Sequence, residues 1–222
     1  LPGFGFVARA SADAPFALVC DALIGLLPTD EQAPFVALPD GAWLVGTPKG
    51  LRRLAANGCP ESADPTGIVG VPIVKLAVAP SDPSVAYAIT GGPAPAIYRS
   101  ADGGQRWTKG AELKSGQRIN ALLVSDDDPD AVYVSATTGA MQSTILVSRD
   151  GGGAFETHAQ TRDLTLLDVR EVPQRLIARA PDTATVRGVQ VYRATSVDGE
   201  WQSILALDFF GGFARAGDGT LF

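Results

Sequence analysis

Asp102 and Asp150 each stand two residues after a serine, Ser100 and Ser148, and just before paired glycines, Gly103-Gly104 and Gly151-Gly152. A carboxylate in that company has two uses. It could exchange protons with a substrate held near the glycine backbone. It could instead accept hydrogen bonds from N–H groups of its own turn, with the serine hydroxyl joining in and glycine supplying positive φ. The second use accounts for every residue type in the pattern, including an aromatic that follows and can fold back over the turn (Trp107, Phe155). Ser100, Asp102, Gly104, Trp107, Ser148, Asp150, Gly152 and Phe155 are therefore read as structural.

Four other carboxylates, Asp163, Asp168, Glu171 and Asp208, occupy positions that nothing else in the chain repeats. They are the candidates for a glycosidase pair, in which one carboxyl protonates the leaving oxygen and the other acts as base or nucleophile. Taken singly they read as solvated loop carboxylates, so no catalytic residue is assigned. His158 is the single histidine, on an alternating outer strand without an evident partner for metal or proton work. The acids Asp126, Asp127, Asp128 and Asp130 crowd one turn but depart from the calcium-loop spacing, and the parallel turn at Ser81-Asp82-Pro83 does without them. Neither a metal nor a cofactor is expected. Gly151-Gly152-Gly153 lies inside a hairpin rather than before a helix, which excludes a phosphate loop. Cys20 and Cys59, the only cysteines, fit either two buried thiols or one disulfide of an exported protein.

The elements that carry these residues recur along the chain. Ile97 to Trp107 reads as two short strands around a tight turn, and Ile145 to Phe155 repeats it 48 residues later. Val191 to Trp201 keeps Tyr, Arg and Trp but has lost the Ser and the Asp; Arg53 to Gly58 and Ser11 to Asp13 read as more worn copies. Leu76 to Tyr87 parallels Leu122 to Tyr133 at an offset of 46, each a strand, an Asp-Pro turn and a strand. Phe35 to Leu44 parallels Phe213 to Phe222 at an offset of 178.

A period of roughly 44–48 residues has room for four short strands, the signature of a propeller blade. Blades are expected over 33–71, 72–115, 116–162 and 163–208, with 209–222 and 4–27 supplying a closing or partial blade. The chain is thus read as all-β, a single domain over 1–222 and a β-propeller of four-stranded antiparallel blades. That makes about five blade-equivalents, equally compatible with a fragment of a six- to eight-bladed propeller. The 25 glycines and 16 prolines suit such short strands and turns better than helices. The start at Leu1 and the end at Phe222 within a strand pattern suggest a mature or excised piece.

The pattern Ser-x-Asp-x-Gly-x-x-Trp resembles the Asp-box, or bacterial neuraminidase repeat, of β-propellers. The resemblance implies that these turns sit on outer hairpins away from any active site. Sialidases of that family need an arginine cluster, an acid/base Asp and a Tyr nucleophile paired with a Glu. Here Tyr87 and Tyr133 share one repeat position, Tyr98 and Tyr192 another, and the Arg-Ile-Pro motif is missing, which disfavours a sialidase. The Asp-Pro-x-x-x-Tyr turns are similar to those of xyloglucan-cleaving, sortilin-type and photosystem-assembly propellers over about two blades.

A net charge of −6 argues against nucleic acid as the main partner, and no apolar run is long enough for a membrane span. The expectation is a non-catalytic binding or scaffolding module of an exported protein, extracellular or periplasmic, engaging a protein or carbohydrate ligand. The alternative is a polysaccharide-cleaving glycoside hydrolase.

Overall fold

The computed structural model describes residues 6–8, 17–19, 33–56, 67–138, 142–182 and 188–208, and none of these is helical. Strands β1 (Phe6–Ala8) and β2 (Ala17–Val19) pair with each other. Strands β3 (Phe35–Ala37), β4 (Trp43–Thr47) and β5 (Gly50–Leu54) form a three-stranded sheet, extended by a single bridge from Gly50 to Val69. Three four-stranded sheets follow. The first holds β6 (Ile73–Val78), β7 (Ala86–Thr90), β8 (Ala96–Ser100) and β9 (Thr108–Glu112). The second holds β10 (Arg118–Val124), β11 (Val132–Thr138), β12 (Gln142–Ser148) and β13 (Glu156–Ala159). The third holds β14 (Thr165–Glu171), β15 (Gln174–Pro181), β16 (Val189–Ala194) and β17 (Gln202–Leu207).

Strand order follows chain order in every sheet, so each is a meander with short connections. The stretch 33–71, expected to hold four strands, holds three among the described residues. Residues 209–222, both cysteines and the worn turns at Ser11–Asp13 and Asn57–Gly58 lie outside the described residues.

Two compact units emerge. The first comprises residues 1–116 together with the turns 124–132 and 148–155; the second comprises 117–123, 133–147 and 156–222. In the first unit Leu44, Leu51, Ile73, Ala86 and Ala88 form one apolar cluster, with Tyr98 and Trp107 packed against it. Strand β7 is buried along its whole length, which explains why Ala86-Tyr87-Ala88-Ile89 reads as a continuous apolar run rather than an alternating one. In the second unit the buried positions Leu166, Leu176, Ile177 and Ala178 lie on β14 and β15, the first two strands of their sheet. The last strand of each four-stranded sheet is mostly exposed, as suits the polar residues of β9 and β13, whereas β17 exposes the apolar Ile204 and Leu205.

The turn after β8 packs on the preceding sheet through backbone. Gly104 has φ +80°, and a Cβ there would lie 2.8 Å from Leu44 Cδ2. Gly103 has φ +70° with open space around it. The Arg53 guanidinium, almost fully buried, donates from Nε to the Gly103 carbonyl at 3.2 Å and pairs with Asp40. In the same unit Gly152, φ +87°, lies over Ile97, and its carbonyl accepts the Ala111 N–H at 2.8 Å. Gly103→Ala adds only left-handed backbone strain, about 1–2 kcal/mol. Gly104→Ala adds a clash with Leu44 as well, for a total of about 2–4 kcal/mol. Denaturant melts of the two variants should separate them in that order, and equal losses would contradict the close approach.

Candidate functional site

Ser100 and Asp102 build a closed network. The buried Ser100 hydroxyl donates to Asp102 Oδ1 at 2.8 Å and accepts the Gly104 N–H at 2.9 Å. Asp102 Oδ1 also accepts the Gln105 and Arg106 N–H groups at 3.0 and 2.9 Å. Ser148 and Asp150 reproduce this with Gly152, Gly153 and Ala154, at 2.7–3.0 Å. Trp107 folds back so that its indole N–H reaches the Gly104 carbonyl at 3.0 Å. Burial pushes the Asp102 carboxyl up, but the Arg106 N–H, the Ser100 hydroxyl and the Gln105 N–H outweigh it and hold it below the usual carboxylate range. The Ser148 hydroxyl and the Ala154 N–H do the same for Asp150. A carboxylate held ionised in this way is a poor proton donor near neutrality. The third copy closes differently: Gly199 N–H donates to the Ser196 carbonyl at 3.2 Å, and Trp201 donates to Gln160 Oε1 at 3.1 Å.

The four unrepeated carboxylates are dispersed. Asp168 is no solvated loop residue; it lies on β14, 7 % exposed, and accepts from Arg175 at 2.9 Å. Glu171 closes the same strand and accepts the Tyr133 hydroxyl. The pairing of β14 with β15 is regular from Asp168 to Glu171, so these two residues, three apart, project to opposite sides of the sheet. Asp163 precedes β14 at its other end and takes the Thr137 hydroxyl at 2.8 Å. The exposed Asp208 follows β17, three strand spacings from β14, about 14 Å across the sheet. That exceeds the roughly 5–9.5 Å separation of a glycosidase pair.

The reading of His158 as partnerless also needs correction: Asp198, 40 residues away, holds its Nδ1 at 2.8 and 2.9 Å, and Glu156 lies 3.9 Å from Nε2. Two of the repeated tyrosines form polar ties. Tyr87, in the first unit, donates to the Pro129 carbonyl at 2.8 Å and accepts from Arg99, and burial raises its pKa. Tyr133, in the second unit, reaches Glu171 in the corresponding way. Each hydroxyl thus ties the second strand of a sheet to a residue at the turn after a first strand.

Within the second unit a cavity of about 400 Å³ gathers polar groups, lined by Arg162, Asp163, Asp182, Gln190 and Tyr192 among others. Its floor is preorganised. Ser143 donates to the Arg162 carbonyl at 2.7 Å and accepts the Leu164 N–H at 2.8 Å, which fixes the segment that presents Asp163. The Arg162 guanidinium lies 4.9 Å from the Tyr192 ring centroid, and the Tyr192 hydroxyl donates to Gln190 Oε1 at 2.7 Å. Register places this cavity at the Thr165, Pro181 and Val189 end of the sheet β14–β17. The Glu171–Gln174 turn and the 195–201 turn lie at the opposite end. Asp182 escaped the sequence reading, although the criterion that selected Asp163, a position outside the repeat, applies to it equally. Among the described residues no group of three or more His, Cys, Asp or Glu side chains could hold a metal ion. No described helix is long and apolar enough to cross a membrane.

No protein-family model and no curated protein sequence matches the chain. Solved structures do. A GH74 xyloglucanase from Xanthomonas campestris is similar at 16% identity and TM-score 0.53, over 77% of this chain and 29% of that one. An ancestral GH74 enzyme matches at 17% identity and TM-score 0.56, over 77% and 25%. A gluconolactonase from Xanthomonas campestris matches at 16% identity and TM-score 0.54, over 90% and 68%. The chain spans under a third of each of these two GH74 enzymes. At these identities the likeness shows the fold alone, and that fold is an all-β propeller of antiparallel sheets.

Ser100→Ala leaves the buried Gly104 N–H without an acceptor and should cost about 1–3 kcal/mol in denaturant melts. The lowered carboxyls of Asp102 and Asp150 set a direction with pH. Their contribution is complete above the unfolded value near 4 and is lost as pH falls through the lower folded values. An Asp102→Asn, Asp150→Asn double variant should therefore show a flatter loss of stability over that acid window than the parent chain. An unchanged slope would contradict the assignment.

Proposed function

We propose that this chain is a non-catalytic binding or scaffolding propeller that engages a protein or carbohydrate partner, and that its Ser-Asp-Gly turns are of the Asp-box class. The observation that carries the reading is the dispersal of the unrepeated carboxylates. Asp168 is paired with Arg175, Glu171 is held by Tyr133 on the other side of β14, and Asp208 lies far across the sheet from Asp163. What remains is a fixed polar cavity at one end of a rigid sheet, which suits recognition by preorganised side chains. An extracellular or periplasmic location belongs to the same proposal, with a disulfide between Cys20 and Cys59 as its chemical correlate.

A second reading has one observation in its favour: Asp163 and Asp182 line the same cavity. A glycoside hydrolase would use them as its acid and base. The purified chain, incubated with sialosides, xyloglucan and mixed-linkage β-glucan, should release no reducing sugar above background. Turnover that disappears in both Asp163→Asn and Asp182→Asn, with the thermal melt intact, would replace the binding reading with the hydrolase.

A further inference from the structure

Resting on the binding reading above, we propose that the cavity beside β14, together with a polar relay that runs into it, binds a neutral saccharide. The relay begins on β10, where Asn120 donates from Nδ2 to the Thr137 hydroxyl of β11. That hydroxyl donates in turn to Asp163 Oδ1 at 2.8 Å, and Asp163 lines the cavity.

The preceding sheet in the chain shows that these strands fold without such a relay. At the offset of 46 residues Asn120 corresponds to Val74 and Thr137 to Gly91. Backbone hydrogen bonds keep the same correspondence: Ala79 N–H donates to the Val85 carbonyl and Val85 N–H to the Asp82 carbonyl, as Ser125 does to Ala131 and Ala131 to Asp128. In the sheet β6–β9 the pair is apolar and filled, since a Cβ on Gly91 would lie 2.8 Å from Val74 Cγ1. The amide and hydroxyl of the later sheet therefore serve something other than the strand pairing.

What the relay leaves open sets the class of ligand. Among the described residues the Asn120 carboxamide oxygen and Asp163 Oδ2 accept from no protein group, and the Gln190 amide nitrogen donates to none. The Arg162 guanidinium has only the Tyr192 ring beside it. Two acceptors and two donors thus remain, held by Thr137, by Tyr192 and by the Ser143 clasp, so ordering them costs little on binding. A cation would meet Arg162, and an anion would meet Asp163. An apolar side chain would leave all four groups unpaired, which is costly for each. A saccharide hydroxyl both donates and accepts, and planar amide, carboxylate and guanidinium groups can each engage neighbouring hydroxyls. The cavity, about 400 Å³, falls within the size range of small-molecule sites.

The test uses the intact chain and a panel of neutral tetrasaccharides: cellotetraose, mannotetraose and galactotetraose. Binding is followed by shifts of the backbone amide resonances of Thr137, Asp163 and Gln190. At least one saccharide should shift all three with saturation. The double variant Asn120→Val, Thr137→Gly installs the pair already present in the sheet β6–β9. It should keep a cooperative melt and bind that saccharide about tenfold more weakly, the loss expected of one well-placed hydrogen bond. Asn120→Val alone leaves Thr137 on Asp163, should weaken binding in the same direction, and replaces the double variant if that one does not fold. Thr137→Ser keeps the hydroxyl and should bind within about twofold of the parent chain. No shift with any saccharide, or variants at Asn120 that bind as the parent does, would overturn the proposal. Tetraglycine amide that shifts these resonances while the saccharides do not would overturn it and leave the binding reading standing. Release of reducing sugar from a bound tetrasaccharide would overturn both.

Discussion

The Ser100 hydroxyl, set between the Asp102 carboxylate and the Gly104 N–H, is the contact on which the rest of this structure leans. A tight turn that packs its backbone onto a neighbouring sheet cannot leave its inward N–H groups to water, and a buried orphan donor costs on the order of 1–3 kcal/mol. Serine and aspartate satisfy those donors from within the turn. Glycine then permits both the positive φ and the approach to Leu44 that a Cβ would block. The Ser148 turn solves the same problem against Ile97 with the same residues. Once the donors are satisfied, the turn can act as packing surface, and Arg53, Arg99 and Ala111 add polar ties to this seam.

That arrangement assigns different work to the two ends of a sheet. At one end the connections are consumed by hydrogen bonds to neighbouring backbone, by the tyrosine hydroxyls and by short ion pairs. At the other end of β14–β17 the connections leave a cavity whose side chains are held by Thr137 on Asp163 and by Tyr192 on Gln190. On the binding reading proposed above, polar groups fixed in this way suit recognition.

The turns were legible in the sequence because their chemistry is local: Ser, Asp and two glycines within five residues suffice to define the network. The spacing of Tyr87 and Tyr133 made the succession of sheets legible too, since each occupies the second strand of its own sheet. The fate of the unrepeated acids was not. Asp168 is buried because β14 meets β15 in one particular register, with an irregularity after Leu166, and no local pattern encodes where Arg175 falls. His158 and Asp198 meet across 40 residues, and Asp163 and Asp182 share a cavity only because β14 and β15 run antiparallel. Such pairings are made by register rather than by composition.

Native-state hydrogen exchange tests the central claim most directly. If the Ser-Asp-Gly turns are packed seams and not solvent-facing loops, the amides of Gly104, Gly152 and Ala111 should exchange as slowly as those of the buried strand β7, through global unfolding. Exchange of Gly104 and Gly152 as fast as that of the exposed Gly116 turn, while β7 stays protected, would show that the turns open on their own and would contradict the account.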